Sequence, residues 1–171
     1  MDAIIGGLIA GTFALVTLLL GFRHERNLKL DERQAERKGA SRAVVVEMAE
    51  NFTRLRVLSD QAANDSPIGN MRSHLKMQRR ALDEYLPLLA EDMSLADLRE
   101  IIAAYAGPSA LLDTLDGKWA VANPLEAASV TDRDAIRYAK EDFRRGLFKV
   151  AEILLTAEER KEAGLEPESL V

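Results

Sequence analysis

An uncharged apolar run opens the chain. Residues 3–22 hold fourteen apolar residues, four Gly and two Thr. A helix of this length is about 30 Å long, which matches the hydrocarbon thickness of a bilayer. A cleaved secretory signal needs basic residues before the run and a small-residue cleavage site after it. Here Met1-Asp2 precedes the run and Arg23 follows it. The pattern therefore predicts a transmembrane anchor over residues 1–22.

The basic residues around this run predict its orientation. Residues 23–42 contain seven Lys or Arg, and no Lys or Arg precedes the run. Cytoplasmic flanks of membrane spans carry an excess of Lys and Arg. We therefore expect the N-terminus to lie outside and the C-terminal domain to lie in the cytoplasm. This arrangement resembles small bacterial proteins with one N-terminal span and a cytosolic helical domain, which implies the inner membrane of a bacterial cell.

Two glycines in the predicted span are four residues apart. Gly7 and Gly11 form a GxxxG pair, which allows two transmembrane helices to approach closely. The pair therefore favours a homo-oligomer, although Gly is common in membrane spans and such a pair also arises by chance.

Residues 23–42 are predicted to form a charged helical stalk, because eleven of these twenty residues are charged. Its basic residues follow a helical line at Arg23, Arg26, Lys29, Arg33 and Arg37. The line is either a solvated face held by pairs such as Glu25 with Lys29, or a surface for lipid or a partner. At about 1.5 Å per residue, only its inner part reaches lipid headgroups. On the second interpretation, Arg33 and Arg37 are expected to face an acidic protein surface.

From residue 43 onward, apolar residues recur at spacings of three and four, as in amphipathic helices. The first helix ends near Ala63, and a second covers residues 71–90. A third begins after Ser94 and ends at Gly117, and a fourth begins after Thr131.

No segment alternates with a period of two, so the fold class is all-α. The prediction is a single transmembrane helix that continues into the stalk, followed by an antiparallel four-helix bundle over residues 43–156. Thr156 and Glu159 form a capping box, so residues 157–171 are expected to form a short helix and a frayed tail.

Two polar or aromatic positions interrupt this regular pattern. Asn51 flanks the apolar stripe beside Phe52, where a buried amide could fix the register of the bundle. Residues 117–130 are predicted to be a long loop that holds Trp119, the only Trp. Trp119 would either cover the end of the core or anchor a partner.

Composition excludes several kinds of chemistry. The chain has no Cys, two His and a net charge of −5, which rules out disulfides and Cys-based zinc sites and disfavours nucleic acid as a partner. The two His are isolated, and neighbouring carboxylates on a helix diverge. We therefore predict no catalytic residues, no metal and no cofactor.

The first hypothesis is a membrane-anchored cytosolic helical module that acts as an interaction or scaffold protein without catalytic activity. Its expected partners are the lipid bilayer, a second copy and a protein not identified by the sequence. A second hypothesis is a membrane-active effector, similar to a holin or toxin, that acts by oligomerisation of its transmembrane helix. An enzyme with an unrecognised site is the third.

Overall fold

The computed structural model describes the backbone of residues 2–165 and the side chains of residues 25–165. The predicted membrane anchor, with Gly7 and Gly11, therefore falls outside the described side chains, and so does the side chain of Arg23. Among the helices in the described part of the chain, none combines the length and the apolar character needed to cross a membrane.

Residues 2–165 form helices and connecting segments, with no β-strand in this range. This confirms the all-α prediction. The elements are α1 (Asp2–Ala63), α2 (Ile68–Met71), a 3₁₀ turn (Arg72–His74), α3 (Arg80–Ala90), α4 (Leu95–Ala120), α5 (Val130–Leu154) and α6 (Ala157–Glu162).

By contact, the chain divides into two units between Gly39 and Ala40. The first unit contains the N-terminal part of α1. The second contains the rest of α1 and every later element, and its buried apolar side chains form one core. The largest of them are Trp119, Tyr105, Phe143, Met48, Leu55 and Leu58. This unit is a helical bundle, as predicted.

Within the bundle, α5 runs antiparallel to both α4 and the second part of α1. Along α4 and α5, Glu100 lies 2.8 Å from Lys149 at one end, and Lys118 lies 2.6 Å from Asp132 at the other. Between these ion pairs, the rings of Tyr105 and Phe143 meet edge to face with centroids 6.0 Å apart.

The direction of α1 relative to α5 follows from one ion pair at each end. Arg42 lies 2.9 Å from Glu159, just beyond the end of α5. Asp65, just beyond the end of α1, lies 2.6 Å from Arg133 in the first turn of α5.

Local capping signals are confirmed where they were predicted. The Ser94 side chain accepts a hydrogen bond from the N–H of Asp97 at the start of α4. Thr156 and Glu159 form the complete capping box of α6. The start of α5 was predicted two residues too late, because the helix begins at Val130, and the side chain of Ser129 accepts a hydrogen bond from the N–H of Asp132.

The predicted helix over residues 71–90 is wrong in its first half. Residues 75–79 are not helical, and α3 begins only at Arg80. The prediction of a loop from residue 117 is also wrong, because α4 continues to Ala120. Gly117 does not end α4, since a helical glycine costs only about 1 kcal/mol.

Two helical glycines allow a matched test of how closely α4 and α5 pack. A methyl group on Gly146 would lie 2.8 Å from Cβ of Ala104, whereas one on Gly117 would meet nothing within 4 Å. Gly146→Ala is expected to destabilise the bundle by about 1–2 kcal/mol, because crowding outweighs the gain in helix propensity. Gly117→Ala should stabilise it by about 0.5–1 kcal/mol. Urea denaturation measures both, and an equal rise in both midpoints would contradict the close approach.

Candidate interaction surface

A buried carboxylate joins three helices of the bundle. Glu47 in α1 is 6% exposed. One oxygen, Oε2, accepts from the N–H of Ala81 at 2.6 Å, and the other, Oε1, lies 3.5 Å from the N–H of Leu82 and 3.0 Å from the hydroxyl of Tyr105. Arg79, at the N-cap of α3, makes no capping bond with its side chain. Glu47 therefore provides, from a different helix, the acceptor that the first turn of α3 lacks.

One helical turn further along α1, Asn51 binds the main chain just before α3. Its Nδ2 donates to the carbonyl of Gln78 at 2.8 Å, and its Oδ1 accepts from the N–H of Gln78 at 2.9 Å. Asn51 is 1% exposed, so its predicted burial is confirmed. The amide fixes the position of the non-helical segment before α3.

Burial changes the acidity of Tyr105, whose hydroxyl donates to Glu47. Burial raises the pKa of the Tyr105 hydroxyl well above its ordinary value, and the charge of Glu47 and its hydrogen bond to the hydroxyl raise it further. Tyr105 is therefore a neutral donor at physiological pH.

Trp119 lies inside α4 rather than in a loop, which corrects the sequence-based prediction. Its side chain is 2% exposed, and its indole N–H donates to Asp132 Oδ2 at 3.2 Å. Lys118 donates to the other oxygen of Asp132 at 2.6 Å. Burial raises the pKa of Asp132, but the hydrogen bonds from Lys118, Trp119 and Ser129 outweigh it, so the pKa lies below its ordinary value. The buried indole offers no surface to a partner.

On the stalk, the predicted pair of Glu25 and Lys29 is present at 2.8 Å. This hydrogen bond, together with the opposite charges, lowers the pKa of Glu25 and raises that of Lys29. Arg26 and Arg33 are exposed, whereas Arg37 is partly buried and has an interaction of its own. The partner of the basic line stays a prediction.

Main-chain hydrogen bonds hold the loop between α4 and α5 in place, and apolar side chains at this end of the bundle are exposed. Gly69 donates its N–H to the carbonyl of Pro124 at 2.9 Å, and Ile68 donates to that of Glu126 at 2.8 Å. Three large apolar side chains at this end of the bundle are strongly exposed: Val121, Leu125 and Val130.

A second exposed surface is strongly basic. We define the basic strap as residues 72–80, which contain four Lys or Arg and His74. Lys76, Arg79 and Arg80 are exposed, whereas Leu75 between them and the 3₁₀ turn is buried. The sequence analysis did not identify the strap, because it predicted one continuous helix over residues 71–90.

No group of three potential metal ligands comes together among the described residues.

Searches against protein-family models, curated proteins and solved structures found no match to this chain.

Proposed function

We propose that this protein is a membrane-anchored helical interaction module. The observation that carries this proposal is the composition of α1. Its N-terminal part holds the uncharged residues 3–22, followed by a flank rich in Lys and Arg. Its C-terminal part supplies core residues such as Met48 and Leu55 to the bundle. An apolar segment of that length favours insertion in a bilayer, and the basic flank favours a cytoplasmic bundle.

The buried polar groups support a scaffold role over a catalytic one. Glu47, Asn51 and Asp132 are the buried polar residues of the described bundle. Each forms hydrogen bonds within the bundle. Glu47 binds the start of α3, and Asn51 binds the main chain of Gln78. Asp132 binds Trp119 near the end of α4. A catalytic acid or base needs a site that a substrate can reach, and these groups face the protein interior.

The chain has no Cys, so single cysteines can test its topology. We would compare Asp2→Cys with Ala106→Cys, which places a thiol at an exposed position of α4. A membrane-impermeant maleimide should label Asp2→Cys in sealed cells and spare Ala106→Cys, because only the N-terminus lies outside. After permeabilisation, both should react.

Two outcomes would contradict the proposal. Labelling of Ala106→Cys in sealed cells would contradict the orientation, and release of the full chain from membranes by an alkaline wash would contradict the anchor. Growth arrest with dye uptake on overexpression would instead support a membrane-active effector.

A further inference from the structure

The basic strap has a charge opposite to that of the chain around it. The whole chain carries a net charge of −5, yet no Asp or Glu occurs between Asp65 and Asp83. Within this interval lie the four cations of the strap, Arg72, Lys76, Arg79 and Arg80, together with His74. This local excess of positive charge is not needed for solubility, because a net charge of −5 already provides it.

The bundle holds the strap in a defined conformation. Leu75 is 1% exposed, and both main-chain polar groups of Gln78 are bound by Asn51. Glu47 binds the main chain at Ala81, just after the strap. A ligand that pairs with the strap would therefore meet side chains on a fixed backbone, which reduces the entropy lost on binding.

The position of Arg79 and Arg80 is unfavourable for α3 itself. Arg79 is the N-cap, and Arg80 is the first residue of the helix. The N-terminus of a helix carries partial positive charge, so cations there are disfavoured. Positions that break a local rule without a gain in stability are candidates for function.

Two of the strap's cations are already paired within the bundle, and two are not. Arg72 lies 2.9 Å from Asp116, and Arg79 lies 3.3 Å from Asp83. Lys76 and Arg80 are exposed and have no ion pair in the described part of the chain.

We propose that the basic strap is the docking site for an acidic segment of a partner protein, whose carboxylates pair with Lys76 and Arg80. This inference rests on the proposed interaction role, since it names the chemistry of the partner. Arg can bind a carboxylate with two parallel hydrogen bonds, and Lys acts beside it as a point charge.

An acidic protein segment fits the strap better than a nucleic acid. Nucleic-acid binding depends on neutralising many phosphates with a continuous basic surface. Within the strap, the cations without an ion pair in the described part of the chain are Lys76 and Arg80, which form a small basic patch and not a continuous surface. Half-buried Met77, between the two cations, offers apolar contact to a peptide.

The test measures binding of a fluorescein-labelled oligoglutamate peptide to the full chain in neutral detergent, by anisotropy at low ionic strength. Lys76→Glu/Arg80→Glu is expected to weaken binding about tenfold or more, because two attractive contacts become repulsive. The matched control is Lys161→Glu/Arg99→Glu, which reverses an exposed Lys and an exposed Arg outside the strap. It changes the net charge equally and should retain most of the affinity.

Each result decides the proposal. Equal losses in the two variants would overturn it, because binding would then reflect net charge alone. Tighter binding of single-stranded DNA or of phosphatidylglycerol vesicles, lost in the strap variant, would also overturn it in favour of phosphate. Circular dichroism of both variants confirms that they are folded. Since the assay needs no membrane, its failure leaves the topology test of the proposed anchor unaffected.

Discussion

Replacing Phe143 by alanine is expected to lower the unfolding free energy of the bundle by about 3–5 kcal/mol. The Phe143 side chain is fully buried, and its ring contacts that of Tyr105 edge to face. Truncation removes a large apolar group and leaves a cavity that the packed helices fill only in part. Urea denaturation of a fragment over residues 40–171, which contains every core residue of the second unit, measures the effect.

The same helix provides a control for this substitution. Tyr138 lies on α5 and is 63% exposed, so Tyr138→Ala should change the unfolding free energy by less than about 0.5 kcal/mol. A cost below about 1 kcal/mol for Phe143→Ala would contradict the assignment of this face to the core. An unfolded or insoluble fragment would show that the bundle needs residues before Ala40.

Short-range signals in the sequence predicted most of the fold. The Thr156–Glu159 capping box joins residues three apart, and the buried positions of α5 follow the spacing of one helical face. Both features depend on neighbours within one or two helical turns, so the sequence alone contains the information needed to place them.

The prediction failed where distant residues decide the local structure. Gln78 is bound by Asn51, 27 residues away, and Ala81 by Glu47, 34 residues away. These tertiary hydrogen bonds stabilise a non-helical segment in a stretch whose apolar spacing resembles a helix. Trp119 illustrates the same effect, because its bond to Asp132 stabilises the last turn of α4 beyond the glycine that was expected to end it.

The sequence analysis identified the basic line on the stalk and did not identify the basic strap. The strap could be identified only once residues 75–79 were known to leave the helix and expose Lys76. One signal for the buried polar contacts of Glu47 and Asn51 was present in the sequence. Glu47 interrupts an apolar run, with Val46 before it and Met48 after it, and Asn51 lies four residues further on the same face.

Replacing Glu47 by leucine is expected to destabilise the bundle by about 3 kcal/mol or more. The change removes the acceptor for two main-chain N–H groups of α3 and for the Tyr105 hydroxyl. Each buried donor left without a partner costs about 1–3 kcal/mol, and the apolar gain from leucine offsets part of this. Glu50→Leu is the control on the same helix, because the Glu50 side chain is exposed. It should have an effect within about 0.5 kcal/mol.

A double-mutant cycle separates the tyrosine from the main-chain donors. Tyr105→Phe alone should cost about 1 kcal/mol, since Glu47 keeps its bonds to Ala81 and Leu82. In the background of Glu47→Leu the same change should cost less, because the hydroxyl has already lost its acceptor at 3.0 Å and retains only the carbonyl of Val44 at 3.5 Å. The double variant is therefore expected to cost about 0.5–1 kcal/mol less than the sum of the two single changes. If the two changes are strictly additive, Tyr105 and Glu47 do not stabilise each other. In that case the role of the carboxylate would be confined to the first turn of α3.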